Sequence, residues 1–182
     1  GRPDRYVFGF EESYGYLSGT YVRDKDGVVA SMLVCEMAAF YKAQGKSLLE
    51  VLDGLYAEFG VYRHSQVNAE FAGEQGMTAM QELMASLRRE RPREVAGLKV
   101  LRYSDYLAGE QTELATGNMK PLHLPKSNVL SFGLENNAGL IIRPSGTEPK
   151  IKAYITSTGR DFTEADAMNE KLRTAAEAIL KP

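Results

Sequence analysis

The chain opens with a short alternation of aromatic and small side chains over residues 6–10, the two-residue period of a strand. Residues 11–19 break that pattern with glycine, serine and acidic side chains and read as a polar loop. Residues 27–43 are apolar, alanine-rich and free of proline, which predicts a helix. Asp26 stands where its N-cap belongs, and Gly45 stands where it would stop. Ser47 and Glu50 then form a capping-box signature. The helix they open, over residues 48–59, sets Leu48, Leu52, Leu55 and Tyr56 on one face. Gly60 closes this helical pair.

A different rhythm follows. Residues 61–71 read as a strand, with Val67, Ala69 and Phe71 alternating against polar neighbours. Met77, Met80, Leu83, Met84 and Leu87 recur at helical spacing, a stripe that faces a core, and Pro92 closes the helix. Residues 98–103 predict another strand, and residues 105–125, punctuated by glycine and proline, read mostly as loop. Three strands follow at residues 129–134, 139–143 and 150–157, with Asn136-Asn137 as the hairpin signal between the first two. Thr163 is the expected cap of a last helix whose Met168, Leu172, Ala175, Ala176 and Ile179 face inward.

These elements predict an α+β chain. Residues 1–60 read as the end of an α/β domain. Residues 61–182 read as an antiparallel sheet with helices on one face, in the order β-α-β-β-β-β-α.

Composition narrows the function classes. Of 182 residues, 43% are hydrophobic and 25% charged, which is enough to build a core and argues against a disordered chain. A net charge of −2 lacks the basic excess of a nucleic-acid binder; the cluster at Arg88, Arg89, Arg91 and Arg93 reads as a solvated helix end. No apolar run is long enough to span a membrane. The single cysteine, Cys35, excludes an internal disulfide and is expected to pack as a small hydrophobe, so nothing points to an oxidising compartment. The first residues show no signal-peptide pattern, and a strand begins so soon after them that the chain is expected to belong to a longer protein.

Two segments carry chemistry. Arg143-Pro144-Ser145-Gly146-Thr147-Glu148-Pro149-Lys150 lies between two predicted strands. Gly146 is expected to let the backbone turn so that amides converge on an anion. Ser145 and Thr147 add hydroxyl donors, Arg143 adds a planar fork, and Lys150 and Lys152 add charge. The competing reading is a polar hairpin facing water; the combination of arginine, hydroxyls, glycine and lysine favours phosphate. The other segment, residues 8–16, holds Glu11-Glu12-Ser13 among aromatic side chains. Carboxylates accept hydrogen bonds from sugar hydroxyls, serine donates and accepts, and aromatic faces cover a ring. A solvated turn explains this segment equally well.

Together the two segments resemble the α-D-phosphohexomutase family. Residues 143–147 resemble its phosphate-binding loop, and residues 11–13 its sugar-binding loop. Phe-Glu-Glu-Ser-Tyr-Gly-Tyr most resembles the bacterial phosphoglucomutase type related to phosphopentomutase-like animal enzymes. It departs from the Gly-Glu-x-Ser-Gly-His form of phosphomannomutases, with Phe10 in place of the glycine and Gly15 in place of the histidine.

The resemblance implies reversible transfer of phosphate between the 1- and 6-positions of a hexose, glucose first among candidates, through a bisphosphate. It implies a phosphoserine and a magnesium-holding aspartate triad in N-terminal domains missing from this sequence. Residues 1–60 would then be the C-terminal portion of the third, sugar-binding domain, and residues 61–182 the fourth, phosphate-binding one. Glu11, Ser13 and Lys25 would grip the sugar, although Lys25 reads equally as part of a solvated turn. Arg143, Ser145, Gly146, Thr147 and Lys152 would hold the non-reacting phosphate. Neither the Ser-His phosphorylation loop nor an Asp-x-Asp-x-Asp motif occurs in this sequence, so it is expected to hold no catalytic centre and no metal, and to be inactive alone. The expected setting is the cytoplasm, with hexose phosphate as partner. The alternatives are a non-catalytic phosphosugar-binding module, a phosphopentomutase-type relative, or an interaction domain.

Overall fold

The computed structural model describes residues 3–11 and 14–181. The chain divides into two compact units, residues 1–58 and 59–182.

In the first unit, β1 (Phe8–Phe10) pairs antiparallel with β2 (Tyr16–Ser18), aligning Phe8 with Ser18 and Phe10 with Tyr16. The segment read as a continuous polar loop therefore returns as a strand. Its short alternation was hidden between glycines, and the backbone ladder to β1 decides it. Helix α1 (Gly27–Lys42) starts at Asp26, whose carboxylate accepts from the Val28 and Val29 amides at 2.9 and 3.1 Å. Helix α2 (Leu48–Phe59) starts at the predicted capping box. Glu50 accepts from the Ser47 amide at 2.7 Å, and the Ser47 hydroxyl accepts from the Glu50 amide at 3.2 Å.

Neither helix contains a buried residue. Cys35 is exposed rather than packed, and Leu52 and Leu55 remain open. The apolar faces are those of core helices, but within this unit they meet too little structure to be covered.

The second unit has a complete core. Its strands are β3 (Val61–Glu70), β4 (Glu94–Val95), β5 (Leu98–Asp105), β6 (Glu110–Glu113), β7 (Met119–Pro121), β8 (Leu130–Leu134), β9 (Gly139–Pro144) and β10 (Lys150–Gly159). They form one antiparallel sheet in the order β3-β10-β9-β8-β5-β6-β7, with β4 beside β5. Strands β6 and β7 occupy a stretch expected to be loop. Glu-Gln-Thr-Glu has no apolar alternation, so only its pairing with β5 reveals it as a strand.

Helices α3 (Gly76–Glu90) and α4 (Phe162–Ile179) cover one face of the sheet. Met80, Met84 and Leu87 of α3 join Leu172 and Ala176 of α4 in one cluster with Val67, Ile142, Ile151 and Ile155. The cap of α4 is Asp161, which accepts from the Glu164 amide at 2.8 Å, and not Thr163. Strand β10 ends early enough to start the helix two residues sooner. Inside, Ser157 donates to the Ala165 carbonyl at 2.9 Å, and Asn169 donates to Ser157 at 3.1 Å. These bonds satisfy polar groups that would otherwise be costly to bury.

The alternation in β10 is strict. Ile151, Ala153 and Ile155 face the helices. Lys150, Lys152 and Tyr154 therefore lie on the open face of the sheet.

Candidate functional site

Each unit carries one of the two chemical segments. In the first unit, the Glu11 amide donates to the Gly15 carbonyl at 2.8 Å and closes the turn between β1 and β2. The Asp26 amide donates to the Tyr16 carbonyl at 2.8 Å, tying the start of α1 to β2. The Tyr21 hydroxyl donates to the same Asp26 carboxylate that caps the helix. This contact holds Tyr21 above its ordinary pKa and, together with the Val29 and Val28 amides, holds Asp26 below its own.

That local architecture carries Lys25 across the turn. Its ammonium lies 3.6 Å from a Glu11 carboxylate oxygen and 2.9 Å from Asp24. Asp24 accepts from the ammonium and is the main reason the Lys25 pKa is raised; Glu11 adds to it. The structure thus brings together Glu11 and Lys25, which lie far apart along the sequence. Ser13 lies outside the described residues. A cavity of about 270 Å³ opens here, with Tyr6, Phe10, Glu11, Arg23 and Lys25 on its wall. Arg23 and Tyr6 were not singled out from the sequence. Arg23 shares the segment with Lys25, but spacing alone does not say which of its charges faces the cavity.

Gly15 has a specific reason to be glycine. A Cβ there would sit 2.1 Å from Lys25 Cδ, inside the space the lysine stem occupies. Replacing Gly15 with alanine is expected to swing the flexible stem aside and break the Lys25–Glu11 contact. A fall of the Lys25 ammonium pKa toward its ordinary value, followed by nitrogen-detected NMR titration, checks this. An unchanged value would show that the contact does not depend on the glycine.

In the second unit, β9 and β10 form a hairpin whose tip is residues 145–149. The Ser145 amide donates to the Lys150 carbonyl at 2.7 Å and closes its neck. The Ser145 hydroxyl oxygen accepts long bonds from the Thr147 and Glu148 amides, at 3.4 and 3.3 Å. Its proton stays available to donate outward.

Gly146 differs from expectation. Its φ is not in the left-handed region, so the turn does not require glycine for backbone freedom. An added Cβ would meet nothing within 4 Å. What glycine leaves here is open space beside the loop amides.

At the base of the loop, Arg143 on β9 is in register with Lys152 on β10. Ile142 and Ile151, their sequence neighbours, are buried, so both cationic side chains share the open face. Among the described residues neither is in an ion pair, whereas Lys150 is matched by Glu70 at 3.3 Å. Like charges directly opposite on paired strands destabilise a sheet unless an anion lies between them. Arg143, Ser145, Gly146, Thr147 and Lys152 are thus gathered in one hairpin.

The family model for phosphoglucomutase/phosphomannomutase, alpha/beta/alpha domain III, matches residues 2–59. A phosphoglucomutase of Staphylococcus epidermidis is 35% identical over 170 residues, covering 93% of this chain and 30% of that protein. A probable phosphomannomutase of Haemophilus influenzae is 35% identical over 182 residues, covering all of this chain and 34% of the relative. This chain belongs to the phosphohexomutase family.

A solved structure of parafusin, a Paramecium phosphoglucomutase captured in an open form, shares the phosphohexomutase fold. Its TM-score is 0.61 at 18% identity, over 94% of this chain and 30% of that one. The chain spans about a third of the length of the curated phosphohexomutases it matches. Among the described residues, no group of three or more histidine, cysteine, aspartate or glutamate side chains could hold a metal ion. Among the described residues, no helix is long and apolar enough to cross a membrane.

Proposed function

We propose that this chain is the C-terminal part of a cytoplasmic enzyme that interconverts hexose 1-phosphate and hexose 6-phosphate, with glucose as the hexose, through a bisphosphate intermediate. In this reading residues 1–60 finish the third domain and residues 61–182 form the fourth. The reacting phosphoserine and its magnesium belong to other domains, and this chain alone has no mutase activity.

Within this reading Glu11, Ser13 and Lys25 contact sugar hydroxyls. Carboxylate and ammonium supply complementary acceptors and donors, and the adjacent cavity wall includes Tyr6 and Phe10 to cover apolar ring surface. Arg143, Ser145, Gly146, Thr147 and Lys152 hold the phosphate that is not reacting. A mutase must accept its substrate in two orientations. A charged grip on the distal phosphate serves both, because it depends on the dianion and not on which carbon bears it.

The observation that carries the reading is the Arg143–Lys152 pair, two cations in register without a described carboxylate, beneath a loop with an open face. Titration of the chain with glucose 1-phosphate, followed by backbone amide NMR, tests it. Shifts are expected at Gly146 and Thr147. Replacing Arg143 with alanine is expected to weaken binding about thirtyfold, the size of a lost charge-assisted hydrogen bond. Absence of shifts in the unmodified chain at millimolar ligand would overturn the phosphate assignment.

A further inference from the structure

The open face of the sheet extends the Arg143–Lys152 row by one strand. Lys152 is in register with Arg143 on one side and with Asn68 of β3 on the other. Adjacent strands stand roughly 5 Å apart, so the three side chains form a short transverse row on one face. Val67 is buried on the helix side, which leaves Asn68 on the same open face as the two cations.

Asn68 is held in one sense. The Gln66 side-chain amide donates to Asn68 Oδ1 at 2.5 Å. With its oxygen engaged, Asn68 presents its Nδ2 hydrogens, and among the described residues Nδ2 has no acceptor. In the next row toward the hairpin, Glu70 is taken up by Lys150. The groups left available to an anion are therefore one neutral donor and two cationic ones.

We infer that Asn68 is a third phosphate-binding residue of this site, and that Gln66 is the positioning residue that fixes its amide as a donor. The ligand class is a phosphate monoester dianion, whose terminal oxygens match the donors of β3, β10 and β9. The inference rests on the phosphate reading of the Arg143 loop and adds to it a contribution from a strand far away in sequence. It also gives the edge strand β3 a part in binding, with Gln66 setting the sense of the contact.

The test is titration of the whole chain with glucose 1-phosphate, following both backbone amides and the Asn68 side-chain NH2 resonances. Three variants are compared with the unmodified chain. Asn68→Ala is expected to weaken binding about tenfold, the effect of one hydrogen bond to a charged acceptor. Asn68→Asp, which can only accept and repels the dianion, is expected to abolish it. Gln66→Glu accepts where Gln66 donates, turns the Asn68 amide around, and is expected to remove the Asn68 NH2 response while the Gly146 and Thr147 shifts persist at higher ligand concentration. Unperturbed β3 amides in the free variants establish that the fold is retained. If Asn68→Ala binds as tightly as the unmodified chain while Arg143→Ala does not, the Asn68 assignment is overturned and the phosphate loop stands. If the unmodified chain shows no response at all, both fall.

Discussion

Replacing Asp105 with alanine is expected to destabilise the second unit by about 3 kcal/mol, the lower end of what removing one partner of a buried ion pair costs. Asp105 stands at the end of β5 with its side chain 11% exposed, facing an Arg88 side chain that is 22% exposed. One carboxylate oxygen accepts from Arg88 Nε at 3.0 Å. The other accepts from the Leu107 and Ala108 amides at 3.0 and 3.3 Å, which shapes the turn leaving the strand. Arg88 in turn donates to Asn128 at 2.5 Å, so one guanidinium ties α3 to both ends of the irregular excursion between β5 and β8. Alanine would leave a half-sequestered cation without its carboxylate and two amides without an acceptor. Native-state hydrogen exchange of the Leu140, Ile142 and Ile155 amides reads the loss directly. Protection unchanged from the parent chain would show that the network is solvated and contributes little. Asp105→Asn retains an acceptor for the turn and is expected to lose less.

A methyl group at Gly159 is expected to be as damaging. Its Cβ would lie 2.4 Å from the Ala165 nitrogen, 2.9 Å from the Ala165 Cα and 3.0 Å from the Asp161 carbonyl oxygen. All of these are backbone atoms of the turn into α4 and of its first turns, so no side chain can step aside. The helix would have to shift, and it carries Ala165, Leu172 and Ala176 into the core. Overpacking of this kind costs about 3 kcal/mol at the upper end of the usual range, and in a unit of this size corresponds to a fall of about 10 °C in Tm. Thermal unfolding followed by circular dichroism checks it. A Tm within about 2 °C of the parent would mean that the turn relaxes freely.

Local chemistry was legible in the residues themselves. Asp26 and the Ser47–Glu50 pair begin α1 and α2 because capping involves groups only a few residues apart. The stripe of α3 declared most of its buried face for the same reason: Met80, Met84 and Leu87 are buried, although Met77 at its start is exposed. At the start of α4 the sequence misled: Thr163 suits a cap, but Asp161, two residues earlier and just past the end of β10, accepts from the Glu164 amide. Strands β6 and β7 were illegible because nothing in their side chains alternates; their hydrogen bonds to neighbouring strands make them strands. The expected packing of Cys35 failed because an apolar helix announces that it wants a partner and not whether one is present.

The amino-acid order by itself determined which kinds of donor and acceptor each loop can offer, since composition and turn chemistry act over a few bonds. Only the folded chain decided which of them stand together. Lys25 meets Glu11 because a glycine vacates the path of its stem, and Asn68, Lys152 and Arg143 share one row because antiparallel register aligned strands drawn from distant parts of the sequence. Register is set by the burial of the opposite face against α3 and α4, a long-range condition that no short window of residues contains.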